Sequence, residues 1–223
     1  DSSLFRTREQ LEEEGWRLVG TTFIRDADQF VSLYEAKMIH HFDHRFGTYE
    51  GQTEANAAQN KLPETTPEQH DAPNLWALPR YWVPRREVDE RLAGRWHHGW
   101  FLGWRDITGT ENARTVIASI FPRHSSGNTL FIALPGTHIS LSSALVANLS
   151  AIILDYTARQ KLGGTHLNYH VLKQLPILPP NVYLQPCAWF PHISIADWIR
   201  CRLLELTYTA WDLTAFARDH GWD

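Results

Sequence analysis

The sequence predicts an α+β fold: a central, mostly antiparallel β-sheet followed by a helical C-terminal third. Aromatic and β-branched stretches bounded by turn residues crowd the middle of the chain. After residue 140, apolar residues recur at helical spacing. The two kinds of segment do not alternate as a doubly wound sheet requires.

In order along the chain, Thr7 to Glu14 reads as a short helix stopped by Gly15, a residue that takes the left-handed conformation of a helix terminus. Trp16 to Ile24 reads as a strand, and Asp26-Ala27-Asp28-Gln29 is turn chemistry. Residues 50–75 hold Gly51, Pro63, Pro67 and Pro73 with few large apolar side chains, which predicts a mobile loop. A short helix is expected over Arg86–Leu92, and strands over 100–107, 114–121 and 129–134. Leu145, Leu149, Ile152, Ile153 and Tyr156 predict one helix over 140–160, stopped at Gly163-Gly164. Asn168 to Leu175 reads as a shorter helix broken by Pro176, and the Pro-rich run to Pro186 as extended. Ser194 is the expected N-cap of a helix over 195–206, and a last helix is expected over 210–219. This divides the chain into a β-rich region, 1–135, and a helical region, 136–223.

With 223 residues, 43% of them hydrophobic, the chain is long enough for one large domain or two small ones. No apolar run is long enough to cross a bilayer, and no signal pattern opens the chain, so no membrane partner is expected. The start at Asp1 suggests a piece of a longer protein. Cys187 and Cys201 are the only cysteines, which argues against a disulfide framework and for a reducing cytoplasm; both are expected to be buried.

The net charge is −4, which counts against nucleic acid as a partner. Eight acidic residues cluster, however, at Glu9, Glu12, Glu13 and Glu14 and at Glu54, Glu64, Glu68 and Asp71. Outside those segments basic residues are in slight excess, which permits a local basic face.

Several enzyme classes lack their motifs. No Gly-x-Gly-x-x-Gly or Gly-x-x-x-x-Gly-Lys-Ser/Thr loop cradles a phosphate, no Cys-x-x-Cys pair offers zinc ligands, and no Gly-x-Ser-x-Gly elbow presents a nucleophile. The chemistry that stands out lies between Leu33 and Tyr49, where Lys37, His40, His41, His44 and Arg45 interleave with Met, Ile, Phe and Tyr. On a helix, His40 and His44 would lie one turn apart, as metal ligands do. On a strand they would stand about 13 Å apart. Solvated or core histidines and nucleic-acid contacts are the competing readings. Arg105, Arg114 and Arg123 border the central strands, and an Arg fork suits phosphates and guanine edges as well as ordinary salt bridges. His124-Ser125-Ser126-Gly127-Asn128 is a polar turn able to hold a phosphate or merely to join two strands.

Leu33-Tyr-Glu-Ala-Lys-Met-Ile-His-His-Phe-Asp-His-Arg-Phe46 resembles the LYEGKMI-x-x-FDHR signature found downstream of the catalytic domain in large bacterial N6-adenine DNA methyltransferases of restriction-modification and phage-defence systems. Asn112-Ala-Arg-Thr-Val-Ile-Ala-Ser-Ile-Phe-Pro-Arg123 is similar to the family's ERT-x-I-A-x-x-x-P segment, with Ala113 where Glu is common. Leu167-Asn-Tyr-His-Val-Leu-Lys-Gln-Leu-Pro-Ile-Leu-Pro-Pro180 resembles the LNYFVLKQLPVLPP block that closes the target-recognition domain. The resemblance spans roughly residues 33–180. It implies a target-recognition (specificity) domain that grips double-stranded DNA, while a catalytic domain of the same parent chain binds S-adenosylmethionine and methylates a flipped-out adenine. The family's Asn-Pro-Pro-Tyr motif does not occur in these residues, so no catalytic residue, no metal and no cofactor is assigned to them. On this basis Lys37, Arg45, Arg123 and Lys173 are expected on phosphates, and His41, His44, Arg105 and Asn128 on bases or groove edges. A protein-interaction scaffold, and behind it a His-dependent metal hydrolase, are the alternatives.

Overall fold

The computed structural model describes residues 2–222. In chain order its elements are α1 (Arg8–Glu13), β1 (Arg17–Val19), β2 (Thr22–Arg25), β3 (Asp28–Tyr34), α2 (Glu54–Ala58), α3 (Pro67–His70), β4 (Trp82–Pro84), α4 (Arg85–Leu92), β5 (Trp100–Arg105), β6 (Ala118–Pro122), β7 (Ser125–Ser126), β8 (Leu130–Ala133), α5 (Ile139–Ser150), α6 (Ile152–Lys161), α7 (Tyr169–Leu172), α8 (Pro180–Tyr183), β9 (Pro186–Cys187), β10 (Phe190–Ser194), α9 (Ile195–Thr207) and α10 (Thr214–Asp219). The fold is α+β with antiparallel sheets. The strands do not form one central sheet, however. β1-β2-β3-β4 make an antiparallel sheet that β7 joins by pairing parallel with β3, β6-β5-β8 make a second, and β9-β10 form a small third. Trp16–Ile24, expected as one strand, is a hairpin turned at Gly20, whose φ of +61° is readily available to glycine.

Local chemistry explains the boundaries. Thr7 caps α1 by accepting from Gln10 N, while Gln10 Oε1 accepts from Thr7 N at 3.0 Å, a reciprocal capping box. Ser194 caps α9 and Asn168 caps α7 in the same way, through a side-chain oxygen on a first-turn N–H. In β3, Val31 and Leu33 face one side with Val83, Tyr81 and Val88, while Tyr34 faces the main core.

The helix expected over 140–160 is broken at Ala151, and α5 and α6 meet at a 59° bend. The break frees Ser150 O, which accepts from Arg114 Nη2 at 2.5 Å. It also aims Asp155 Oδ1 at the backbone N–H groups of Thr115 and Val116, both at 2.8 Å. A buried carboxylate thereby ties α6 to the chain entering β6.

One core cluster runs from Tyr34 and Met38 through Trp96, Trp100, Trp104 and Phe121 to Val146, Leu154, Leu203 and Phe216. It therefore joins the β-rich and helical regions. Four buried indoles find acceptors inside it or beside it: Trp82 on Thr21 O, Trp96 on Trp100 O, Trp100 on Asp219 and Trp104 on Leu167 O. Cys187 is buried as expected, whereas Cys201 is exposed on α9. Among the described residues no single helix is long and apolar enough to cross a membrane.

Residues 50–75, expected as a mobile loop, contain the short helices α2 and α3, capped by Thr53 and Thr66, and their far end is tied to Arg45.

Candidate functional site

At the seam of the two larger sheets lies an open groove of about 1010 Å³. Leu33, Val83, Val88, Phe101 and Ile132 give it an apolar lining, supplied by β3, β4, α4, β5 and β8. Its polar groups come from segments far apart in sequence. Lys37 follows β3, Asn60 follows α2, Arg80 precedes β4, Arg91 belongs to α4, Arg105 ends β5, Ser125 and Ser126 form β7, and Asn128 lies in the turn from β7 to β8.

Most of these cations already have partners. Lys37 Nζ donates to Asn60 Oδ1 at 2.8 Å and lies 3.9 Å from Glu35 Oε2 and 5.0 Å from the Tyr49 ring centre. Tyr49 donates its hydroxyl to Glu35 Oε1 at 2.7 Å, and burial together with that carboxylate pushes its pKa up. Arg91 Nη1 bonds Glu87 Oε2 at 2.7 Å. Arg105 Nε donates to Ile39 O at 2.9 Å, and burial brings its pKa down to about 10, which leaves it charged at neutral pH. Arg80 differs. Its guanidinium lies 5.2 Å from the Tyr81 ring centre and has no hydrogen bond or ion pair among the described residues. The side chains of Ser125, Ser126 and Asn128 are equally uncommitted among the described residues.

Of the residues that the sequence singled out, Lys37, Arg105 and Asn128 meet in this groove. His44 and Arg45 do not: both are 0% exposed, so neither reaches a ligand from this position. Arg45 Nη1 donates to Ala72 O and Leu75 O at 2.9 and 3.2 Å, and Nη2 to His70 O and Thr209 O at 3.1 and 2.9 Å. Its positive charge fastens the 70–75 segment and the C-terminal turn to the first motif block. His44 Nε2 lies 2.8 Å from Asp212 Oδ1. Burial pushes Asp212 up, but His44, aided by His124 and Arg45, outweighs it and holds the carboxyl below its usual range. The Phe-Asp-His-Arg block is thus a folding device. Phe42 turns the chain at φ +59°, Asp43 Oδ1 accepts from Arg45 N at 2.8 Å, and the next two side chains plug the interior.

His41 also faces inward. Both ring nitrogens are buried without a well-formed hydrogen bond, and burial with nearby Arg114 lowers its pKa to about 4. It does not line the groove, and its buried ring nitrogens offer no donor or acceptor to a base edge there. Arg123 is held by Asp89 of α4 at 2.6 Å, and Lys173 is exposed at the end of α7, outside the groove. Neither joins Lys37, Arg105 and Asn128.

The reading of His40 and His44 as a metal pair finds no third ligand: among the described residues no group of three or more His, Cys, Asp or Glu side chains is placed to hold an ion. His40 instead packs on Phe46, with ring centres 4.7 Å apart. Ser143 Oγ lies 2.7 Å from His220 Nε2, but both residues are 1% exposed and sealed from any substrate. The groove is therefore suited to binding, with a donor-rich rim over an apolar floor. Sequence reasoning overlooked Arg80 and Arg91, because the prolines at 79 and 84 drew attention to the chain break rather than to the side chains between and beyond them. Compared with family models, curated proteins and solved structures, the chain matches none.

Proposed function

We propose that this chain recognises a specific sequence in double-stranded DNA through the groove at the seam of its sheets. In this reading it is the target-recognition part of an adenine-specific DNA methyltransferase of a restriction-modification or phage-defence system. Methyl transfer from S-adenosylmethionine would belong to the catalytic domain of the parent, its partner. The observation that carries the reading is the convergence of Lys37, Arg105 and Asn128, from three separate segments, with Arg80 and Arg91 on one concave surface. Cations there complement phosphates, while amide and guanidinium donors suit base edges. Glu35 and Glu87 line the groove beside Lys37, Arg80, Arg91 and Arg105, which leaves the cations in excess, and the acidic residues of α1 lie outside it. Both the first motif block and the polar turn build it, and the second and third blocks fasten the sheet beneath it.

The test is equilibrium binding of the chain to a labelled pool of random duplexes across a salt series. Counterion release makes the affinity fall steeply as salt rises, and repeated selection enriches one sequence. Salt-independent binding, or no enrichment, overturns the reading.

A second reading, a protein-interaction module, draws on a different surface. On α6 the side chains of Ile152, Ile153 and Tyr156 are 75, 77 and 64% exposed, and none of them lines the groove. Contiguous exposed apolar residues of this kind mark contact surfaces. Ile153→Asp would then abolish capture of the catalytic domain while leaving duplex binding intact.

A further inference from the structure

We infer that Arg80 reads the edge of a guanine, so that the selected DNA site contains a guanine on which recognition depends. The inference rests on the duplex-binding reading above and assigns one residue a chemical target within it.

The groove cations divide by what they hold. Lys37 is engaged by Asn60 and Glu35, Arg91 by Glu87 and Arg105 by the Ile39 carbonyl. Each can still offer charge, but part of its donor set is already used. Arg80 has its whole fork unspent among the described residues. It is also oriented, since its guanidinium lies over Tyr81, 5.2 Å from the ring centre. An arginine on an aromatic face gives up little freedom on binding and presents two parallel N–H donors in a fixed plane. That arrangement matches a planar pair of acceptors.

In the major groove, guanine offers such a pair, O6 and N7, side by side on one edge. A phosphate also takes such a fork through two of its oxygens, so the assignment to a base rests on the uncommitted side chains that share the groove. Ser125, Ser126 and Asn128 line the same groove with uncommitted donors and acceptors, enough to contact the neighbouring base pair or sugar. Arg80 is exposed, so its replacement removes no buried contact.

The experiment takes the duplex selected by the intact chain and replaces each guanine in turn by 7-deazaguanine, which lacks the N7 acceptor. Binding of the wild type, Arg80→Ala and Arg80→Lys is measured on every duplex and at several salt concentrations. At one guanine the analogue should weaken wild-type binding roughly tenfold. Arg80→Ala should lose at least as much on the unmodified site and be indifferent to the analogue at that position. Arg80→Lys, which keeps the charge and loses the planar fork, should recover only part of the loss and keep the position-specific response to the analogue. The dependence of affinity on salt should stay unchanged in Arg80→Ala.

Losses that add at every guanine, full rescue by Arg80→Lys with no single guanine at which the analogue matters, or a salt slope reduced by about one would assign Arg80 to a phosphate and overturn the inference while leaving duplex recognition standing. Failure of the wild type to bind duplex or to select a site would remove duplex recognition itself, and the inference with it.

Discussion

Replacing Arg45 with alanine separates a folding role from a binding role for the first motif block. The guanidinium is fully buried and donates to the carbonyls of His70, Ala72, Leu75 and Thr209. Each buried acceptor left unpaired costs about 1–3 kcal/mol, and bonds to a charged donor are stronger than neutral ones. The carbonyls near Asp71, Pro73 and Asn74, which are exposed, can recover water by a small shift, so the lower end applies. A loss of about 4 kcal/mol follows, a large share of the roughly 5–15 kcal/mol of a typical domain. Arg45→Lys, with three donors on one atom, cannot span four carbonyls and should lose about half as much. Urea unfolding followed by tryptophan fluorescence measures both variants, since several indoles lie in the core. A loss below about 1 kcal/mol in Arg45→Ala, accompanied by weakened duplex binding at full folding, would refute the assignment and return Arg45 to the binding surface.

Acid should destabilise the protein through its buried histidines. Burial lowers His124 and His220 to about 4, against 6.5 as the ordinary value, so both stay neutral in the fold and take up protons on unfolding between those pH values. Their stabilisation is complete above about pH 6.5 and is lost as pH falls toward 4; each shift corresponds to about 3 kcal/mol. A urea midpoint that falls across that window checks this, and a flat profile contradicts it. In the second sheet, a Cβ on Gly103 would meet Phe121 Cε1 at 2.6 Å and Phe131 O at 2.9 Å. Gly103→Ala should therefore cost about 1–3 kcal/mol by overpacking, read as a lower melting temperature.

How far the sequence reveals this molecule depends on the range of the interactions. Caps are local, and Thr7, Gly15, Asn168 and Ser194 all mark boundaries close to where helices start or stop. The strands β5, β6 and β8 follow from their aromatic and β-branched content. The break at Ala151 has no Gly or Pro to announce it; it is held by the distant chain entering β6, where Arg114 donates to Ser150 O of α5 and the N–H groups of Thr115 and Val116 donate to Asp155 of α6. The order of residues 70–75 depends on Arg45, some 25 positions away, which no local pattern reveals. In the first motif block, residue type was misleading as to role. His44 and Arg45 resemble surface ligands by chemistry but fill the interior, and only the tertiary partners Asp212 and Thr209 show this. Arg80 escaped notice for the converse reason, since an ordinary residue between prolines becomes distinctive only when its neighbours in the groove turn out to be engaged.

Charge reversal at matched net charge tests the binding surface most directly. Lys37→Glu with Arg80→Glu alters the groove, whereas Lys161→Glu with Arg202→Glu alters exposed cations outside it by the same amount. Binding to the selected duplex at one fixed salt concentration is then compared. The account predicts a loss of about a hundredfold or more for the groove pair and little change for the other. Equal losses for both pairs, or unaffected binding in the groove pair, would contradict it.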